Sequence, residues 1–211
     1  MIKVTQQYPA FGSNYGPGWI GFLSRRKDFI AAGIDWFSRW DEISGIPVSH
    51  TFNVIDEDLT VEAFESGVSD GSLESYLADQ DVALLMRRPR LLGIDTARAI
   101  IDEAERRLGE PYNNALIAAM GMSNSLLGRG LCWLTGGRTS RWLCHLADRP
   151  NHWICSRLVW FTLNRYPYSE YSGVMHQPPY LVKPIDLFED SFLFEPGAVE
   201  LVPFTHPLTN A

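Results

Sequence analysis

The sequence lacks any long run of lysine or arginine, and its formal net charge is -7 over 211 residues. Proteins that bind nucleic acid need clustered basic side chains to neutralise phosphates. This composition therefore disfavours a nucleic-acid partner and suits a neutral or cationic one. The length and the 45% hydrophobic content are enough for one sizeable core, and a second full domain would be cramped. We expect a single domain over residues 1–211.

Cysteine is scarce, and long apolar runs are absent. Three cysteines cannot all pair within one chain, and their spacing lacks the CxxC pairs of a structural zinc site. The most apolar window, residues 114–134, is interrupted by Asn124, Ser125 and Arg129, which makes it a poor membrane span. The first residues lack the basic start and apolar core of a secretory signal. We expect a cytoplasmic protein, without stable membrane insertion.

Alternation of apolar and polar residues predicts the first strands. The segment GIPVSHTFNVI has the period of a half-buried strand, with His50 pointing inward. The acidic residues 56–58 supply a turn, and TVEAFESGV is a second extended segment that ends at Gly67. The two segments are predicted to form a hairpin. A third strand, DVALLMRRP, is predicted to stop at Pro89.

Helical spacing predicts an early helix in DFIAAGIDWFSRW and a second helix capped by Asp95, ending at Gly109 and Pro111. The expected buried stripe of the second helix consists of Ile94, Ala97, Ile101, Ala104 and Leu108. Residues 114–150 are compatible with short helices or a lid. The tail from residue 178 is expected to contain short extended segments punctuated by proline.

Twelve residues separate His50 from Glu62. A hairpin folded about residues 56–57 makes positions whose numbers sum to about 112 to 114 face each other, so these two side chains can be cross-strand neighbours. A carboxylate beside an imidazole orients the ring and favours its charged form, as for a catalytic base. The alternative is a structural histidine in the core whose ring is hydrogen-bonded by a nearby acid.

Cys155 is predicted to lie in the first turn of a helix that begins near residues 152–154. Unpaired backbone N–H groups and the helix dipole favour a thiolate at that position. The alternative is a packing cysteine, because free cysteine is among the most buried residue types. We interpret Cys132 and Cys144 as packing residues.

Tyr112 follows a helix end, where its hydroxyl could act as a donor in a site or could belong to an ordinary core tyrosine. The remaining histidines are expected at the surface. They are His145, His152, His176 and His206. His152 is a rival base because it lies close to Cys155 in the sequence.

Five short motifs follow one another along the chain: SHTFNVI, VEAFESGV, LGEPYN, WICSRLVW and VKPIDLFEDSFLF. Together they resemble the circularly permuted papain-like enzymes of the NlpC superfamily, in particular the YiiX/YebB-like group. In that group a strand bearing His is followed by a second strand, a G-x-x-Y-[DN] helix end, a CS-x-L helix and a tP-x-dl segment. The resemblance covers roughly residues 17–195.

The resemblance implies Cys155 as nucleophile, His50 as general base, Glu62 as the group that orients His50, and Tyr112 as a substrate-binding residue. It implies a cysteine hydrolase, amidase- or peptidase-like, that cleaves an amide or ester in a small-molecule, peptide or acyl-group substrate without metal or cofactor. Papain-like enzymes carry Cys before His, and permutation produces the reversed order found here.

The expected fold is α+β and permuted papain-like, of the NlpC type. A central antiparallel sheet of about four to six strands would pack against helices, with the Cys155 helix meeting the His50 strand. Two other functions stay open: an acyltransferase or thioesterase acting on lipid-like acyl groups, and a non-catalytic module that binds acyl or lipid ligands. The oligomeric state is not indicated.

The segment between the Tyr112 and Cys155 motifs contains Trp133, Leu134 and Trp142, which could line the cleft or simply complete the core. Its glycines would let it move as a lid. Apolar walls beside a cysteine nucleophile favour an acyl chain or a hydrophobic side chain over a highly charged substrate.

Overall fold

The structure is a computed structural model that describes residues 2–25, 46–124, 135 and 138–205. Within this part of the chain, one seven-stranded mixed sheet is accompanied by seven α-helices, so the protein is α+β. The helix predicted in DFIAAGIDWFSRW lies outside the described residues, as do Cys132, Trp133, Leu134 and His206.

The strands are β1 (Val4–Gln7), β2 (Ile20–Arg25), β3 (His50–Val54), β4 (Leu59–Phe64), β5 (Gly67–Ser72), β6 (Val82–Arg87) and β7 (Ala198–Leu201). The α-helices are α1 (Leu73–Ala78), α2 (Ile94–Glu105), α3 (Asn114–Asn124), α4 (Arg138–Ala147), α5 (Cys155–Leu163), α6 (Tyr168–Tyr171) and α7 (Pro184–Glu189). Two 3-10 turns, Val174–His176 and Pro179–Leu181, lie between α6 and α7.

The strand order across the sheet is β1-β7-β6-β2-β3-β4-β5. All neighbours pair antiparallel except β1 and β7, which pair in parallel from opposite ends of the chain. The prediction of an entirely antiparallel sheet of about four to six strands is therefore wrong, because the sheet has seven strands and a parallel pair at the β1 edge. Local periodicity does not reveal that pair, because it joins two short strands that are far apart in the sequence.

The predicted β3–β4 hairpin is confirmed, with Asn53 paired to Val61 and Val54 to Thr60. The prediction that β3 is half-buried is wrong, because Thr51 and Asn53 are fully buried on its polar side. The Thr51 hydroxyl donates to the Gly21 carbonyl at 2.9 Å, and Asn53 Oδ1 accepts from the Thr162 hydroxyl at 2.8 Å, so both side-chain oxygens are hydrogen-bonded, whereas Asn53 Nδ2 has no partner among the described residues. Both faces of this central strand are thus covered.

The second predicted extended segment divides into two strands. β4 ends at Phe64, and Gly67 begins β5 instead of ending the segment. Gly67 has a φ of 114°, a backbone conformation that favours glycine, so it serves the tight turn between them. The third predicted strand is confirmed as β6, which stops two residues before Pro89.

Helix α2 is confirmed, but its predicted cap and part of its buried stripe are wrong. Gly93 occupies the N-cap position in an extended conformation, so Asp95 lies inside the first turn. The core-facing side chains are Ile100 and Ala104, whereas Ile94 is 80% exposed and Leu108 is 39% exposed. The predicted stripe is therefore longer than the part of the helix that packs on the core, and its first and last residues lie in solvent.

The tail beyond residue 178 contains less extended structure than predicted, because α7 is a helix. Pro184 occupies its first turn, where a missing N–H group is harmless. The Lys183 N–H donates to the Asp186 carboxylate at 2.8 Å, which caps the helix start. In residues 114–150 the described structure consists of α3 and α4, as the short-helix alternative predicted.

Candidate active site

Cys155 is the first residue of α5, as its sequence position predicted. The side chain is 4% exposed. The preceding residue, Ile154, is extended and aliphatic and provides no side-chain cap for the helix. The positive end of the helix dipole and the N–H groups of the first turn therefore lie beside the thiol sulphur.

Tyr112 approaches the same place through a backbone bridge to Trp153, two residues before Cys155. The Trp153 N–H donates to the Pro111 carbonyl at 2.9 Å, and the Asn113 N–H donates to the Trp153 carbonyl at 2.8 Å. Burial, followed by the charges of Cys155 and Glu65, raises the pKa of the Tyr112 phenol. The phenol thus stays protonated beside the thiol and can donate a hydrogen bond.

His50 is the first residue of β3, and its ring contacts both other predicted catalytic residues. Nε2 is 2.9 Å from Glu62 Oε2, and Cys155 lies close enough to the ring to interact with it electrostatically. Since Glu62 occupies Nε2, Nδ1 is the nitrogen left for the thiol. Burial lowers the pKa of His50, but the Cys155 charge and hydrogen bond, with those of Glu62, raise it overall to about 9.

Glu62 is 2% exposed, and both oxygens of its carboxylate accept hydrogen bonds. The Tyr76 hydroxyl donates to Oε2 at 2.6 Å, and the Thr60 hydroxyl donates to Oε1 at 3.3 Å. Space for the carboxylate comes from Gly71, because a β-carbon there would lie 1.8 Å from Oε1. These contacts hold Glu62 in the orientation that receives the His50 ring.

Sequence reasoning missed Thr60, Tyr76 and Gly71. Thr60 could have been found, since it lies two residues before Glu62 and so on the same face of a strand. Tyr76 belongs to α1 and Gly71 to β5, and no pattern within those segments connects them with Glu62.

The register of the hairpin differs slightly from direct opposition of His50 and Glu62. Asn53 pairs with Val61, so the paired numbers sum to 114, and continuation of that register sets Phe64 opposite His50. The two rings stack with centroids 4.3 Å apart and planes at 11°. Glu62 is then the diagonal neighbour of His50, which is within reach of its longer side chain.

No contact joins the other histidines and cysteines of the described residues to His50 or Glu62 in the structure. His145 and His176 are exposed as predicted, whereas His152 is half-buried with Nδ1 3.0 Å from the Pro150 carbonyl. Cys144 is a packing residue as predicted, since it is 2% exposed and lies in a cluster with Ile154. Trp142, at 60% exposure, does not complete the core.

Among the residues that the structure describes, no group of three His, Cys, Asp or Glu side chains could hold a metal ion. Over the same described ranges, no helix is long and apolar enough to cross a membrane. No protein-family model and no curated protein matches this chain.

Proposed function

We propose that this protein is a cysteine hydrolase of the amidase or peptidase type, which cleaves an amide or ester through an acyl-enzyme on Cys155. One observation carries the proposal: His50 contacts both the thiol at the start of α5 and, at 2.9 Å, the buried carboxylate of Glu62. A cysteine that served only packing would need neither an imidazole partner nor a second group to orient it.

In the first half-reaction, His50 takes the thiol proton and the Cys155 sulphur attacks the substrate carbonyl carbon. The electron pair of the C=O bond moves to oxygen, and N–H groups at the start of α5 stabilise that oxyanion. The intermediate collapses with cleavage of the C–N or C–O bond. The leaving nitrogen or oxygen takes the proton from His50, and a thioester remains on Cys155.

In the second half-reaction, His50 takes a proton from water, and the resulting hydroxide attacks the thioester carbonyl. The C–S bond breaks, the carboxylic acid leaves, and the proton returns to the Cys155–His50 pair. Glu62 keeps the imidazole aligned in both halves. Tyr112 is assigned to substrate binding, with its protonated phenol as a hydrogen-bond donor to the substrate.

We also propose a permuted papain-like fold related to the YiiX/YebB-like group. The nucleophile begins a helix, the base begins a sheet strand, and α5 packs on β3 and β4. The base precedes the nucleophile in the chain, which is the order expected after permutation. These features support the resemblance that the five sequence motifs indicate.

Replacement of the nucleophile is the principal test. Turnover should be abolished in Cys155→Ala, assayed on short- and long-chain acyl thioesters and esters and on small peptidoglycan-type peptides, and the fold should stay intact because only one sulphur atom is removed. Glu62→Gln should retain residual activity, because an orienting group contributes less than the nucleophile. Full activity of Cys155→Ala on a verified substrate would move the nucleophile elsewhere.

Thiol reactivity separates the catalytic assignment from packing without any known substrate. Cys144 is a matched control, since it is 2% exposed and Cys155 is 4% exposed. We expect iodoacetamide to alkylate Cys155 much faster than Cys144, because the His50 imidazole interacts with the Cys155 thiol and favours its thiolate. The rates are measured by mass spectrometry of the digested protein. Equal rates at the two cysteines would favour the packing interpretation.

A further inference from the structure

The charge of this protein is unevenly distributed along the chain. The whole sequence contains 25 acidic residues and has a formal net charge of -7, yet residues 111–147 contain no Asp or Glu. The charged side chains of that segment are Arg129, Arg138 and Arg141. Two of these arginines belong to α4, so the helix is basic within an acidic molecule.

Helix α4 has one face in the core and one face in solvent. Cys144 and Ala147 pack in a cluster with Leu116 and Ile154. Away from that cluster, Trp142 is 60% exposed and Leu146 is 61% exposed. Their spacing of four residues sets these two large apolar side chains side by side along the helix.

Basic side chains flank this apolar pair. Arg138 and Arg141 on α4 and Arg149 just beyond it are all exposed. The acid nearest to them in sequence, Asp148, forms an ion pair with Arg157. The solvent face of α4 therefore combines exposed tryptophan and leucine with arginines for which the described residues show no ion pair, the composition of helices that lie in a bilayer interface.

We propose that the exposed face of α4 docks the protein peripherally on an anionic lipid bilayer. Trp142 and Leu146 would enter the boundary between headgroups and acyl chains, while the arginines would contact anionic headgroups. The net charge of -7 repels the molecule as a whole from such a surface, so a basic face favours one orientation.

Helix α4 packs beside the candidate active site through its buried face, and the docking face is the opposite side of the same helix. Cys144 of α4 belongs to the same cluster as Ile154, the residue before Cys155. If the proposed hydrolase function holds, docking brings the nucleophile close to acyl substrates that reside in the bilayer. That consequence rests on the proposed function, whereas docking itself does not, and Cys155→Ala should bind vesicles like the unmodified protein.

The test is co-sedimentation of the full chain with vesicles of phosphatidylcholine, with and without phosphatidylglycerol. We expect binding to the vesicles that contain phosphatidylglycerol and its weakening by salt. Arg138→Gln and Arg141→Gln should each weaken binding about fivefold, the effect of one basic side chain near an anionic surface. Trp142→Ser should weaken it by about tenfold or more, through loss of apolar burial.

Matched controls are available elsewhere on the surface. Phe192→Ser removes an aromatic ring that is 63% exposed, and Arg106→Gln removes an arginine whose side chain is 68% exposed. Neither should alter binding, and circular dichroism verifies the fold of every variant. Equal binding to both vesicle types, or unchanged binding of the α4 variants, would overturn the proposal. The proposal would also be overturned if the unmodified protein bound no vesicles and instead self-associated through this face, which loss of self-association in Trp142→Ser would reveal.

Discussion

At the scale of single residues, the candidate site depends on the imidazole of His50. Its ring meets the thiol of Cys155, hydrogen-bonds Glu62 at 2.9 Å and stacks on Phe64. The negative partners outweigh the effect of burial, which alone would lower its pKa. The charged imidazolium form is thus favoured at neutral pH.

The protonation of His50 is the first residue-scale prediction. Its pKa is raised from 6.5 to about 9. The contribution of the protonated ring to the free energy of unfolding is therefore complete below about pH 6.5 and is lost as the pH rises through about 9. Cys155→Ala should lower the pKa by removing a negative charge and a hydrogen bond, and Glu62→Gln should lower it as well. NMR titration of the imidazole, assigned with His50→Gln, measures both effects.

Cys144→Ala serves as the control for that titration, because Cys144 packs in α4 outside the contact set. It should leave the His50 pKa unchanged. An unmodified protein and a Cys155→Ala variant with the same His50 pKa would contradict the thiol–imidazole pair.

The second residue-scale prediction concerns the hydroxyl of Tyr76, which donates to Glu62 at 2.6 Å. Tyr76→Phe keeps the ring that stacks on Phe52 at 5.5 Å and removes the hydroxyl that donates to Glu62. We expect a loss of about 1.5–3 kcal/mol in the free energy of unfolding, typical of hydrogen bonds to charged groups. Urea denaturation measures it. Tyr166→Phe, on a side chain 71% exposed, is the control and should change little.

At the scale of elements, the site is a junction between the start of α5 and the β3–β4–β5 meander. Helix α5 supplies Cys155, β3 supplies His50 and β4 supplies Glu62. The next strand, β5, contributes space instead of a functional group, since Gly71 allows the Glu62 carboxylate to lie against its backbone. The orientation of the Glu62 carboxylate thus depends on a residue without a side chain.

Gly71→Ala tests that dependence. The added β-carbon would lie 1.8 Å from Glu62 Oε1 and 2.5 Å from the Thr60 hydroxyl, so the carboxylate must move. We expect a stability cost of about 1–3 kcal/mol, as for other overpacked sites, together with a lower kcat because His50 loses its oriented partner. Chemical denaturation and turnover assays measure the two effects.

Gly173→Ala is the matched control, because its added β-carbon would meet nothing within 4 Å. It should change neither stability nor turnover appreciably. If both variants behaved alike, close packing of Glu62 against β5 would have no role in the site.

At the scale of the whole molecule, the buried guanidinium of Arg87 connects the sheet with the end of the chain. It is 2% exposed and donates to the carbonyls of Phe188, Glu195 and Gly197. Burial lowers its pKa to about 10, so the charge persists at neutral pH. Its bonds span more than 100 residues of sequence and hold the segment before β7 against β6.

Arg87→Met should therefore weaken the entire fold and not only one loop. Three carbonyls, of which that of Phe188 is buried, would lose their donor, and we expect a loss of about 3 kcal/mol or more in the free energy of unfolding. Thermal and urea transitions followed by circular dichroism measure it. Arg98→Met, at an exposed position of α2, should leave the transition nearly unchanged. A small effect of Arg87→Met would contradict this role.

Several features of this protein were determined by the sequence itself, because they depend on neighbours a few residues apart. Alternation and an acidic turn predicted the β3–β4 hairpin, and that hairpin made a contact between His50 and Glu62 possible. The polar lead into an apolar helical segment predicted Cys155 in a first turn. Periodicity and turn chemistry act locally, so they can be recognised without the fold.

Other features were decided only by the tertiary structure. The parallel pairing of β1 with β7, the burial of both faces of β3, and the contacts of Tyr76 and Gly71 with Glu62 all join segments that have no mutual signal in sequence. The raised pKa of His50 belongs to this group, since it is the balance between burial and charges from two other elements. Such balances exist only when the chain is packed, because burial and distance are properties of the fold.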